Sequence, residues 1–342
     1  MLDKLVFENA KDLTLKVIGE MHDGKRSEGI VWHEDLTSGK ATVKEMIGTD
    51  DGSREFIEKI TYDMYSGREG VALLYKEIYT PVVDSNLPQT LTEKEFGPVQ
   101  VVFLQKLEGG EVKFGALGPG TEKTVSLYTW AAGIEYDEDM IEYNQTWRIS
   151  DIGVGFGEAY NKLLNHLHLS PIISGTYVTS GGGIAAQKTA QKNGTAQLIA
   201  WNTDLATTLL DAITVLPAGS LFLVNSSNMN AINIAVAAAM YADFTPNVVK
   251  QKIAKCTFVE YDGDEITVGG KTYTYAGVTA GYAYFLKPKT NFKEYIKHDL
   301  RVDSGDGDLS RLIVTQLVGR ARRGVLAALG GKTGAVKIDI TA

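Results

Sequence analysis

Residues 147–167 read WRISDIGVGFGEAYNKLLNHL. Ile152, Phe156, Tyr160, Leu163 and Leu167 follow one another at spacings of 4, 4, 3 and 4. That period places them on one stripe of a long amphipathic helix. Gly153, Gly155 and Gly157 fall inside the same helix, each costing about 1 kcal/mol against alanine. A helix that keeps them packs closely on something, a sheet or a neighbour's backbone. The triplet looks superficially like a dinucleotide fingerprint, but no buried strand and tight turn lead into it, so the cofactor reading fails.

Working outward toward the N-terminus, residues 99–117 read VQVVFLQKLEGGEVKFGAL. Val99, Val101, Phe103 and Leu107 alternate along one strand, and residues 111–117, with Val112 and Phe114, return. Gly109 and Gly110 supply the positive φ that a two-residue primed turn needs. Ahead of the hairpin, Pro81 and Pro88 mark an extended crossing. Residues 53–79 have helical spacing in Phe56, Ile60 and Met64, with Gly67 and Gly70 expected to break the helix in two. Residues 1–50 read as an arm or irregular strands. After the hairpin, residues 125–136 form a strand broken at Gly133. Asp137 caps a short helix.

On the other side, residues 180–183 are a glycine-rich break, taken as a domain boundary. Beyond it the pattern becomes α/β. Thr203 or Asp204 caps a helix ending before Pro217. Residues 221–224 form a short buried strand, and Asn225, Ser226 and Ser227 offer caps for the next helix. Strands follow at 266–268 and 271–275 about Gly269 and Gly270, then at 282–286 and 292–302. Residues 303–308 read as an acidic turn. Strands at 312–318, 324–329 and 335–340 close the chain.

Composition excludes several classes. The 342 residues are 44% hydrophobic and 22% charged, with a net charge of −8. This balance suits a folded protein and argues against a dedicated nucleic-acid binder. No apolar run of membrane-spanning length occurs, so no membrane partner is expected, and the N-terminus lacks the pattern of a signal peptide. The single cysteine, Cys256, forbids an internal disulfide and fits a small buried group. Two Gly-Lys-Thr triplets, at 270–272 and 331–333, lack the leading glycine of a phosphate loop, with Glu265 and Leu326 in its place. His166 and His168 face nearly opposite sides of a helix and cannot share a metal. His33 and Glu34 lack a second histidine, since position 37 is Thr37. Asp303, Asp306 and Asp308 lack calcium-loop spacing. No G-x-S-x-G elbow exists, so Ser226 and Ser227 read as caps. The carboxylates at 135–142 read as a solvated helix start. Arg320, Arg322 and Arg323 form the densest basic group. On a strand the first two share a face and the third takes the other. Phosphate contact is one use for them, and pairing with a neighbour's carboxylates the favoured one. No catalytic residue, cofactor or metal is expected.

Four stretches carry a resemblance: YTPVVDSNLPQTL (79–91), VVFLQKLEGGEVKFG (101–115), YTWAAGIEYDEDMIEYNQTWRI (128–149) with the long helix after it, and the segment 281–327 beginning GYAYFLKPKTNF. Together they cover about half the chain. They resemble the major capsid proteins of tailed bacteriophages. The resemblance implies an α+β protein of the Hong Kong 97-like capsid fold, and no enzyme. It implies an N-terminal arm region at 1–80 and a peripheral domain at 81–200. That domain holds an extended E-loop hairpin at 97–123 and a spine helix at 147–168. An axial α/β domain at 201–300 and returning strands at 301–342 complete it.

The implied function is self-assembly into hexamers and pentamers of an icosahedral head shell around double-stranded DNA, contacted weakly and without specificity. Scaffold, portal and decoration proteins are the implied partners, the virion the location, and the host cytoplasm the place of assembly. Subunit contacts are expected at Val101, Phe103, Leu107, Gly109, Gly110, Val112, Phe114, Gly153, Gly157, Arg320, Arg322 and Arg323. An encapsulin-like compartment, an α/β enzyme working through unidentified carboxylates, and a neck or tail ring component are the alternatives.

Overall fold

The computed structural model of the chain describes residues 50–95, 99–100, 116–117, 121–143, 145–179, 191–192, 195–199, 204–216, 219–241, 247–268, 270–289, 291–306, 313–327 and 334–340. Six α-helices lie among them: α1 (Asp50–Gly70), α2 (Glu138–Glu142), α3 (Thr146–Ile173), α4 (Leu205–Val215), α5 (Ser226–Tyr241) and α6 (Asn247–Ala254). With the sheets below they make an α+β protein.

The larger sheet runs in the order Thr257–Glu260, Leu221–Val224, Tyr282–Leu286, Ala335–Asp339, Thr195–Ile199 and Tyr177–Thr179, with Gln191–Lys192 paired to Thr195–Ile199. Parallel and antiparallel pairs are mixed in it. Both of its faces are covered. Phe222, Val224, Ala283, Phe285, Val336 and Ile338 pack under α4, α5 and α6 with Leu209, Ile213, Ile232 and Ile253. Leu221, Leu223, Tyr284, Leu286 and Ala335 turn the other way, onto Leu164, Leu169 and Ile172 of α3. This two-sided burial is why 221–224 reads as a continuous apolar run with no alternation. Asp204 caps α4 by accepting from the Thr207 N–H, one of the two caps expected.

The second sheet has four strands, ordered Thr80–Val83, Phe292–Asp306, Ile313–Ala327 and Tyr128–Asp137. The two longest strands among the described residues, Phe292–Asp306 and Ile313–Ala327, pair antiparallel at its centre. Three expectations need correction here. The strand expected to stop at 318 and restart at 324 runs unbroken through Arg320–Arg323, held on both sides by neighbours. Gly133 does not break its strand, because it pairs with Val318. Asp303 and Asp306 are strand residues, not a turn.

The helix α1 is also unbroken at Gly67. Its inner face, Phe56, Ile60 and Met64, packs with Ile134, Tyr136, Met140, Ile149 and Leu317, so residues 50–70, assigned to the arm region, belong to this layer. The hairpin Gly263–Val268 with Lys271–Ala276 turns at Gly270, whose φ of +76° suits glycine.

Candidate functional site

Two helices and a strand pair meet at a largely buried cluster of charge. The helices come first, because they set its walls. In α3 the residues on the innermost face are Gly153, Gly157, Asn161 and Asn165, each four apart. Their partners on the N-terminal segment are Ile60, Met64, Arg68 and Ala72. Each pair is 93 residues apart, so α1 and α3 run parallel and in register. A Cβ on Gly157 would overlap the Met64 carbonyl, and one on Gly153 would sit 2.9 Å from the Asp63 Cβ. Gly67 meets the Val154 carbonyl in the same way. Further along, Asn161 Nδ2 donates to the carbonyls of Arg68 and Val71, and Asn165 Nδ2 donates to Ala72 O at 2.9 Å. Leu74 N donates back to Asn165 Oδ1 at 3.0 Å. These amides bind carbonyls at and just beyond the end of α1.

Gly153 and Gly157 therefore face a helix of their own chain, and the expectation that they meet a neighbouring subunit is corrected. The predicted stripe is only part of what is buried. Phe156, Leu163 and Leu167 instead line an apolar cleft of about 450 Å³ with Trp130, Tyr275 and Leu300.

At the centre of the cluster Arg323, 3% exposed, reaches in from the sheet. Its Nη1 donates to Glu294, its Nη2 to Asp299, and its Nε to Tyr160 Oη at 3.1 Å. Glu294 is itself buried. Its Oε1 lies 3.1 Å from His168 Nε2, off the line of a hydrogen bond, and accepts from Tyr75 Oη at 3.5 Å. The His168 ring stacks on Tyr75 with centroids 3.6 Å apart, and its Nδ1 is 2.6 Å from Leu164 O. Asp299 gets its position from irregular register: two departures from regular pairing, between Ile296 and His298 and between His298 and Arg301, turn the strand there.

Burial works to raise Glu294, but His168 and Arg323 outweigh it and hold the carboxyl below its usual range. Asp299 is lowered likewise, with burial opposed chiefly by Arg323 and Arg68. Tyr75 and Tyr160 are raised, mainly by burial. The arrangement clamps sheet to helix. Glu294, Arg323 and His168 are all buried within it, and the Asp299 side chain at its rim is 56% exposed. Among the described residues no group of three or more His, Cys, Asp or Glu is placed to hold a metal.

Arg323 pairs within its own chain, so its expected pairing with a neighbour's carboxylates is corrected. The predicted alternation does appear: Arg320 is outward with its side chain 58% exposed, and Arg323 inward. Arg320 also has a partner at home, with Nε 2.8 Å from Asp303. Of the expected hairpin contacts, Val101, Phe103, Leu107, Gly109, Gly110, Val112 and Phe114 lie outside the described residues. Only the base of that hairpin is described, Val99 opposite Leu117 and Gln100 opposite Ala116. The reading of the residues missed Glu294, Asp299, Asn161 and Asn165. The four-residue series 153, 157, 161, 165 was the available signal.

No family profile and no curated protein matches the chain. Solved structures similar to it include a capsid protein of the cyanophage P-SCSP1u, 14% identical, with 78% of this chain and 88% of that one covered at a TM-score of 0.47. A virus-like particle from Pyrococcus furiosus is 10% identical over 83% of this chain and 100% of the other, TM-score 0.47. The capsid of a native GTA particle is 13% identical over 80% and 91%, TM-score 0.46.

Proposed function

We propose that the chain is a shell-forming capsid protein of the Hong Kong 97-like fold, assembling with copies of itself. The observation that carries this reading is the order of its elements. A hairpin base at 99–100 and 116–117 precedes a 28-residue helix, α3. That helix lies on a sheet whose central strands return from residues 292–327, and an α/β layer is inserted between. This is the order that the resemblance at residues 79–165 and 281–327 implies.

Hexamers and pentamers, a scaffold or portal partner, weak contact with packaged DNA and residence in the virion belong to the same proposal. So do the domain limits 81–200, 201–300 and 301–342, with residues 50–70 joined to the first of these. The test is size-exclusion chromatography of the expressed chain with negative-stain imaging, with and without scaffold. Closed particles are expected, and contents of DNA or of enzymes separate a phage head from an encapsulin-like compartment. A chain that stays monomeric at high concentration under every condition overturns the proposal.

A further inference from the structure

The four-stranded sheet has two faces of different character. Leu317, Gly319, Ala321 and Arg323 turn toward the helices. By alternation Val318, Arg320 and Arg322 turn away from them. On that outer face Arg301 stands directly opposite Arg320, and His298 directly opposite Arg322. Like charges in facing positions are destabilising in a sheet. The burden shows at His298, where burial and then the cations Arg301, Lys297, Arg322 and Arg320 push the imidazole below its usual range.

The nearest carboxylates do not balance the group. Asp303 pairs with Arg320, and Asp299 is held by Arg323 and Arg68. Among the described residues no carboxylate pairs with Arg301 or Arg322, and Arg322 Nε has no hydrogen-bond partner. The chain as a whole has a net charge of −8, so two guanidiniums left over on one face are a local exception.

The surface beside them is low and open. The edge strand Tyr128–Asp137 sets Thr129, Ala131 and Gly133 opposite Arg322, Arg320 and Val318 in turn. All three are small and exposed. A partner lying on this edge strand therefore reaches the guanidiniums without a clash. Of the residues flanking the cations, Thr129, Ala131, Gly133, His298 and Val318, one alone is a large apolar group. A protein partner needs an apolar, desolvated centre to its contact. A phosphate backbone needs none, because cations hold it without regard to sequence. The guanidinium fork also matches phosphate geometry.

We propose that this outer sheet face is a contact point for the phosphate backbone of nucleic acid, held by Arg301 and Arg322 with Arg320 beside them. The inference rests on the reading of the chain as a capsid protein around DNA, and it names the surface that meets the polymer. Two unpaired cations engage about two phosphates, so the contact is weak and salt-sensitive.

The test measures fluorescence anisotropy of a short mixed-sequence DNA duplex with the full chain across a salt series. Arg301→Gln/Arg322→Gln should weaken binding at low salt about tenfold or more and flatten the log–log salt slope by about 2. Lys255→Ala/Lys271→Ala removes the same charge elsewhere and should leave the slope as in wild type. Removing the facing like charges should also leave the melting temperature in circular dichroism unchanged or raised. A clear fall in it would show that the arginines serve folding and would overturn the proposal. So would a salt slope that the arginine variant shares with wild type, or one that both double variants flatten equally. Loss of self-association with DNA affinity intact would give the face to an acidic protein partner and overturn it too. Negative-stain images keep the two readings apart. Wild-type particles together with an unchanged slope in the arginine variant overturn this site alone. A flattened slope from a chain that never forms particles supports the site and overturns the shell reading.

Discussion

Gly157 of α3 lies against the Met64 carbonyl of α1 with no room for a methyl group between them. The next obstruction is the Arg68 backbone nitrogen, 2.9 Å from the same point. Backbone cannot swing aside as a side-chain end can, so Gly157→Ala should push the two helices apart. Overpacking of this kind is expected to cost about 3 kcal/mol. Gly155, two residues away, has nothing within 4 Å. There Gly155→Ala removes only backbone freedom and should stabilise by about 0.5–1 kcal/mol. Urea denaturation of both variants checks the pair, and equal effects would refute the close contact.

The elements of the fold were largely legible in the residues, while their partners were not. The run at 221–224, the cap at Asp204 and the glycine turn at 270 each announce themselves locally. The unbroken strand through Arg320–Arg323 does not, because three arginines look like a loop until strands on both sides fix them. Nor does the inner face of α3. Apolar periodicity points to Phe156, Leu163 and Leu167, yet the tightest packing uses two glycines and two asparagines, whose value depends on carbonyls 93 residues away. The pairing of Arg323 with Glu294 is a tertiary fact of the same kind.

Stability should fall in acid. Glu294, Asp299 and Glu93 are all lowered in the folded chain, each against an opposing effect of burial, by His168 and Arg323, by Arg323 and Arg68, and by Lys293 and Tyr295. A lowered carboxyl contributes stability above its ordinary value, 4.5 for Glu and 3.8 for Asp, and loses it as the pH drops through the folded value. Urea midpoints are therefore expected to hold from pH 7 to 5 and then decline below about pH 4.5. Glu93→Gln should flatten part of that slope. On the alkaline side Tyr284, raised to about 12 mainly by burial, contributes stability below its ordinary 10.0 that is lost toward 12.

Cys256 should resist thiol reagents in the native state. Burial pushes its thiol up to about 11, and its Sγ donates to Lys252 O at 3.2 Å. At pH 8 the thiolate is then about one part in a thousand. Labelling with iodoacetamide should be slow until urea unfolds the chain, and prompt labelling of the folded form would contradict the burial.

Shortening the chain between Val99 and Leu117 is expected to separate assembly from folding. Replacement of residues 101–115 by a short Gly-Ser link should leave a cooperative thermal transition in circular dichroism and abolish closed particles. The sequence places Val101, Phe103, Leu107, Val112 and Phe114 there, apolar residues that need a surface to cover. Loss of the transition would place the hairpin in the subunit's own core. Normal particles would remove it from assembly altogether.

The sharpest test of the cluster is a double-mutant cycle on Arg323 and Glu294. Arg323→Met deletes the cation and leaves Glu294 buried with His168 and Tyr75 as its remaining polar neighbours. Breaking one half of a buried pair costs about 3–5 kcal/mol. Glu294→Gln leaves Arg323 still joined to Asp299, whose side chain is 56% exposed, so water helps to compensate and the loss should be smaller. In the double variant neither orphaned charge remains, and stability should recover to within about 2 kcal/mol of wild type. The coupling energy from the four melts then isolates the pair from the packing around it. A surface-like ion pair would give singles and double all within about 1 kcal/mol of wild type. That result would show that the guanidinium and carboxylate are not sealed between the long helix and the sheet.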